Sequence, residues 1–358
     1  MSFLTAKQIA RQALPILKEN LVFPTLSHIE YSNDFGRFGD TIQVRKPAVY
    51  KASEFSGNIV KQDATETPVL VTLDKIADVS VEIGAKEMAL SIEDFNMQVL
   101  MPAITAIAEK INQDGFELYK DIPYFCGESG VTPSDIDIFA QATKELNKNK
   151  APISERSAIW DYEALAKLQT VPAVISAEKT GDTKALREGS IGKILGLNNY
   201  MSQAVKNHIS GTASGISVKN DVISGNVLVL SGTGNLVYGD ILVIGENSYC
   251  VLEDVELASA GVETMLTSDI LEEISASTQV ALVENHVANL AFNKNAFGFV
   301  TRPLEQAHGA ESYVINFEGL TLRVTMDYDI ATKKQILSVD TLYGFKTLYP
   351  ELACRVLG

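Results

Sequence analysis

An α+β fold carrying a separate all-β module is predicted by three features of this sequence. One helical stripe of apolar residues, Phe95, Val99, Ile104, Ile107, Ala108 and Ile111, runs through residues 92–119. Strand-sized apolar segments crowd residues 211–284, with turn signals recurring about every 8–12 residues, the spacing of a small sandwich or barrel. The mixed helix-and-strand texture of the preceding region resumes after that stretch, so the β module reads as an insertion.

Residues Phe3–Leu21 place Ile9, Ala13, Ile16 and Leu17 at helical spacing among Lys7, Arg11 and Lys18, with Pro15 interrupting the period. This is either an amphipathic arm needing a partner surface or a helix packed on its own domain. Thr41–Arg45 and Pro68–Leu73 alternate as strands around a polar connection, which predicts an extended hairpin. With little core of its own, such a hairpin either moves freely or is held by a neighbour. Ser91-Ile92-Glu93-Asp94 forms a capping box for the long helix, and Pro102 predicts a kink or a break near Gln98. A second helix is expected from Thr132-Pro133 to about Asn147, with Thr132 as cap.

Ser157–Trp160 is a short strand, after which Asp161 caps a helix through Leu168. Within the β module, strands are expected at 216–223, 226–230, 240–245, 248–257, 262–267 and 278–284. Turns are expected at Ser224-Gly225, Ser231–Asn235, Gly245–Asn247 and Ala260-Gly261.

The 358 residues carry 30 basic and 45 acidic side chains, a net charge of -15 that disfavours sequence-specific DNA binding. The start has no basic cluster followed by an apolar block, so a cytoplasmic chain is expected, and no apolar run reaches the roughly 18 residues of a membrane helix. Cys126, Cys250 and Cys354 are odd in number and far apart, which predicts reduced apolar fillers.

Motifs for chemistry are weak. Gly232-Thr233-Gly234 follows a strand, but another strand is expected after it where a dinucleotide site needs a helix, so a hairpin turn is predicted. Asp327 with Asp329, and Asp135 with Asp137, have the spacing of paired carboxylates but lack a third ligand; for the former pair, solvated strand ends or salt bridges to Arg323 or Lys333 are expected instead. His28, His208, His286 and His308 stand in unrelated contexts and read as surface or packing residues. No HExxH, GxSxG or Walker pattern occurs, so no catalytic, cofactor or metal residue is assigned. Arg45, Lys46, Lys51 and Lys61 with Glu54, Asp63 and Glu66 give the hairpin mixed charges, candidates for pairing with a neighbouring subunit.

The last third carries a resemblance. Leu290–Phe299 is followed by Asp327-Tyr328-Asp329-Ile330 and by Asp340–Ala353, in which Tyr343, Gly344, Lys346, Pro350, Glu351 and Leu352 stand in order. With Ala296, Phe297 and the glycines 189, 192 and 196, this series resembles tailed-bacteriophage major capsid proteins. The added β segment resembles the Podoviridae-like coat proteins with an inserted β domain. The resemblance implies a Hong Kong 97-like fold, divided here as N-terminal arm 1–32, extended hairpin 33–80, peripheral domain with spine helix 81–150, axial domain 151–210, inserted β domain 211–285, axial return 286–330 and peripheral return 331–358.

It further implies assembly of this chain as pentamers and hexamers into an icosahedral shell, with a scaffolding protein, a portal protein and packaged double-stranded DNA as partners, and no membrane. The chain would assemble in the host cytoplasm and end in the virion. Some members of the family cross-link a hairpin Lys to a neighbour's Asn, which makes Lys51 and Lys61 the candidates here. The inserted domain would either stabilise the subunit during folding or decorate the outer surface. A phage tail or baseplate component, and a soluble α/β enzyme with an appended β domain, are the alternatives.

Overall fold

The computed structural model describes residues 5–30, 41–45, 68–83, 95–176, 187–270, 272–330 and 334–358. The chain divides into two compact units, Met1–Ile111 with Phe297–Leu348 and Asn112–Ala296 with Tyr349–Gly358. It is an α+β protein with mixed sheets.

The first unit is built on the 14-residue strand Lys334–Thr347, which pairs antiparallel with Leu320–Asp329, Lys75–Ile83 and Phe297–Arg302. Glu311–Phe317 continues the sheet beside Leu320–Asp329, and His28–Glu30 runs parallel to Phe297–Arg302. Alternation turns Leu322, Val324, Leu337 and Val339 to a core shared with Ala6, Ile9, Ala13, Leu14 and Leu17 of the helix Ala6–Asn20. The helix therefore packs on its own unit, the second of the two expectations for this segment. A capping box that the sequence reading passed over starts it: the Gln8 N–H and the Thr5 N–H bond reciprocally to the Thr5 hydroxyl and the Gln8 side chain. Pro15 does not interrupt the helix. Pro15 and Arg11, whose carbonyl it leaves without an N–H, are both exposed, so water can serve that carbonyl.

The kink expected at Gln98 takes the form of a π-helical turn, Asn96–Leu100, leading into the helix Met101–Phe116 and a 3₁₀ turn, Glu117–Asp121. Pro102 has no N–H for the Gln98 carbonyl and its ring crowds that oxygen; a widened turn relieves both problems. The capping box at 91–94 lies outside the described residues.

The second unit has a seven-stranded mixed sheet. Ala353–Leu357 lies antiparallel to His286–Asn293, which is antiparallel to Arg156–Trp160, which is parallel to Leu197–Met201. The helices Asp137–Lys148 and Tyr162–Gln169 share a core with Ala158, Trp160, Ala291, Cys354 and Val356, where the Phe139 and Trp160 rings meet edge to face at 5.3 Å. Asp161 caps the second helix as expected, accepting from Glu163 N and Ala164 N at 3.1 Å. The first helix begins at Asp137 and not near Thr132: the Asp135 carboxylate accepts from Ile136 N at 2.6 Å and closes a local turn first.

The same unit contains the β module, with its own core of Ile216, Val218, Leu228, Leu230, Leu242, Tyr249, Val251 and Leu266. The turn expected at Ser231–Asn235 does not exist; Val227–Leu236 is one continuous strand. Its first half pairs with Val262–Met265 and its last three residues pair with Val255–Leu257. Gly232 and Gly234 permit a close crossing instead of a turn: a Cβ on Gly234 would lie 2.5 Å from the Thr212 carbonyl oxygen. The expected strand 248–257 is split into Asn247–Cys250 and Val255–Leu257.

Candidate functional site: a ribbon base and a buried polar cluster

Of the hairpin residues singled out by charge, Lys46, Lys51, Glu54, Lys61, Asp63 and Glu66 lie outside the described residues. Arg45 ends the strand Thr41–Arg45, whose backbone pairs antiparallel with Pro68–Thr72 from Thr41↔Thr72 to Arg45↔Pro68. Among the described residues no third strand joins this ribbon. A two-stranded ribbon is marginal in water, so its stability comes from its base. Val71 and Leu73 are fully buried there, while Thr41, Gln43, Leu70 and Thr72 face outward. Gly344 makes the base possible: a Cβ at that position would sit 2.2 Å from the Thr72 carbonyl oxygen.

The second arrangement escaped the sequence reading. Cys354 and Val356 face the helices of the second unit, so Arg355 between them points to the opposite side of the sheet. Its guanidinium is fully buried and donates to Gly239 O at 2.8 Å, Lys120 O at 3.2 Å and Cys250 Sγ at 2.9 Å, with the Tyr119 ring 5.1 Å away. Beside it, His208 Nε2 donates to Asp240 Oδ1 at 2.8 Å, and its Nδ1 lies 3.0 Å from the Tyr119 hydroxyl. Asp240 also accepts from Gly211 N and Val237 N at 3.1 and 2.8 Å. His286 lies against His208 with ring centroids 5.2 Å apart and donates from Nδ1 to the Glu284 carbonyl. A cation within an otherwise apolar strand, Ala353-Cys354-Arg355-Val356-Leu357, is the sequence signal that marks this cluster.

A Tyr–His–Asp chain relays protons when one end meets a substrate. Here Tyr119, His208 and Asp240 are all buried, and the neighbouring hollow lined by Ser210, Thr212, Ser214, Ile216, Leu282 and Glu284 includes none of them. Burial pushes the Tyr119 phenol and the Cys250 thiol up to about 12, away from nucleophilic ionisation. The cluster is a structural tie between the β module and the sheet. His208 and His286 are thus packing residues, as expected, and His308 is exposed.

The paired carboxylates form no cation site, and among the described residues no group of three or more His, Cys, Asp or Glu is placed to hold a metal. Of the two expectations for Asp327, the solvated strand end holds, since it is exposed, and the salt bridge to Arg323 does not form; Lys333 lies outside the described residues. Arg323 forks onto Asp340, its direct cross-strand partner, with Nε to Oδ1 at 2.9 Å. Asp327 Oδ1 instead accepts from Tyr328 N at 2.8 Å. Among the described residues no helix is long and apolar enough to cross a membrane.

These sheets and helices make a fold shared with a chain of a solved phage capsid. The chain superposes on one in the capsid structure of the Cyanophage P-SCSP1u with a TM-score of 0.53 and 14% identity, over 94% of this chain and 88% of that one. It matches a chain of Mycobacterium phage Che8 with a TM-score of 0.53 and 15% identity, over 94% of this chain and 90% of that one. At such identities the likeness is one of fold. No family model and no curated protein matches the sequence.

Proposed function

We propose that this chain is the major capsid protein of a tailed phage and assembles as pentamers and hexamers into the icosahedral shell around the genome. The observation that carries the reading is the shared fold with a chain of the cyanophage capsid over 94% of the present one. The fold is read as Hong Kong 97-like. The ribbon Thr41–Arg45/Pro68–Thr72 is the base of the hairpin that reaches a neighbouring subunit, and Arg45, Lys46, Lys51, Glu54, Lys61, Asp63 and Glu66 set its register there. In this reading the unit Met1–Ile111 with Phe297–Leu348 takes the peripheral role and the unit Asn112–Ala296 with Tyr349–Gly358 the axial role, with 211–285 as the inserted β domain of the latter.

The work is mechanical and not catalytic. Each exposed charge pair contributes only about 0–1 kcal/mol, and repetition over closed symmetry turns a modest contact into a stable lattice. A scaffolding protein, a portal protein and DNA held without sequence preference are the partners of this reading, with assembly in the host cytoplasm. Expressing the chain alone and with its phage's scaffolding protein, followed by negative-stain electron microscopy, tests it. Closed shells or hexamer and pentamer patches are expected. Tubes or rings would point to a tail component, and a uniform monomer or dimer under both conditions would overturn the proposal.

A further inference from the structure

The charge of this chain is unevenly placed. Between Gly211 and Asn285 the sequence has one basic residue, Lys219, against eleven acidic ones, whereas the rest, with 29 of the 30 basic and 34 of the 45 acidic residues, is close to balanced. Lys219 neutralises none of them, because its ammonium donates to the Ala260 carbonyl. Apart from buried Asp240, every one of these carboxylates is exposed, and among the described residues none of the exposed ones forms an ion pair.

On this module lies an exposed apolar row. Val227 is the cross-strand partner of Met265, and Leu252 donates its N–H to the Met265 carbonyl at 2.9 Å, one step from the bridge Val251↔Leu266. Directly opposed residues share a face. Val227, Met265 and Leu252 therefore stand side by side across three strands, 36%, 44% and 43% exposed, while the alternate residues Leu228, Leu266 and Val251 fill the core. The next residue along this face of the central strand, Glu263 opposite Val229, is a carboxylate, and Glu253 and Asp254 follow Leu252.

We propose that this face docks a segment of another protein that carries several Lys or Arg residues around one or two apolar anchors. The apolar row supplies the part of an interface that excludes water, and the uncompensated carboxylates choose the sign of the partner and steer its approach. A second copy of this chain is a poor occupant, since its own module repels and its remainder presents no excess of positive charge. The inference does not rest on shell assembly, because the surface belongs to a single chain.

The test is fluorescence anisotropy of a labelled peptide of alternating leucine and lysine titrated with the full-length chain. Binding is expected at low salt and is weakened about tenfold at high salt. The double variant Met265→Ser/Leu252→Ser should lose about another tenfold at low salt, and Glu253→Gln/Glu263→Gln, which spares the apolar row, should flatten the salt dependence. Circular dichroism verifies that both variants are folded. Equal binding to the serine variant, or equal binding of a leucine–glutamate peptide by the native chain, would overturn the proposal. So would a native dimer in sedimentation that the serine variant abolishes.

Discussion

The Nη1 of Arg355 reaches the carbonyl of Gly239 at 2.8 Å, so a cation on the last strand of the chain holds the loop between Val227–Leu236 and Ile241–Ile244 of the β module. Gly239 has φ +94°, and a Cβ there would lie 2.6 Å from Lys120 Cγ. Loop and 3₁₀ turn are thus pressed together and bridged by one guanidinium. Arg355→Met keeps much of the volume but strands the buried Gly239 carbonyl and the partly buried Lys120 carbonyl, each costing about 1–3 kcal/mol. We expect a loss of about 2–4 kcal/mol in urea unfolding, with Arg355→Lys recovering only part of it. An unchanged midpoint for Arg355→Met would show that these bonds add nothing to stability.

His286 makes the same region sensitive to acid. Desolvation lowers its pKa to about 4, with the charge of Arg355 acting in the same direction, while the Glu284 carbonyl and Asp240 pull the other way. Because the folded value lies below the ordinary histidine value of about 6.5, the unfolded chain binds the proton first as pH falls. This contribution to stability is complete above about pH 6.5 and is lost progressively towards pH 4, by up to about 1.4 kcal/mol per pH unit. His286→Gln should unfold with a shallower pH dependence across that window. Parallel curves for the two proteins would remove His286 as the cause.

What the sequence made legible was local. The helical stripe through Ile104 and Ile111, the distortion ahead of Pro102 and the Asp161 cap each depend on residues within a few positions, and each is present. Gly232-Thr233-Gly234 failed because its meaning is nonlocal: the glycines serve Thr212 and Ser214, which approach from another part of the chain. Arg355 stands out as a cation in an apolar strand, but its partners are not legible for the same reason, since Lys120, Gly239 and Cys250 are brought together only by folding. For the hairpin, alternation located both flanking strands, but no pattern in the chain reveals what its charged residues meet.

Gly344 can be tested by adding one carbon. Because its Cβ would fall 2.2 Å from the Thr72 carbonyl oxygen, backbone must move in Gly344→Ala. Overpacking of this kind costs about 1–3 kcal/mol, and the strain should fall on the ribbon base. We expect faster proteolysis in the segment joining Arg45 to Pro68 than in the native chain, together with a lower Tm. A cleavage pattern and Tm equal to those of the native chain would mean that the ribbon is anchored elsewhere.

Leu195 offers the opposite outcome, a gain. Ile194 pairs with Leu197 across a two-residue turn in which Leu195 has φ +45° and Gly196 φ +89°, both in the left-handed region of a type I′ turn. A leucine held there costs about 1–2 kcal/mol relative to its preferred backbone, and its side chain is 53% exposed, so little packing repays the strain. Leu195→Asn creates the Asn-Gly pair that this turn favours, while the hydrogen bond from Thr143 Oγ1 to the carbonyl of residue 195 uses backbone and is kept. The variant should gain about 0.5–1 kcal/mol in chemical denaturation and a few degrees in Tm. A loss of stability would mean that the leucine side chain makes a contact worth more than the strain it carries.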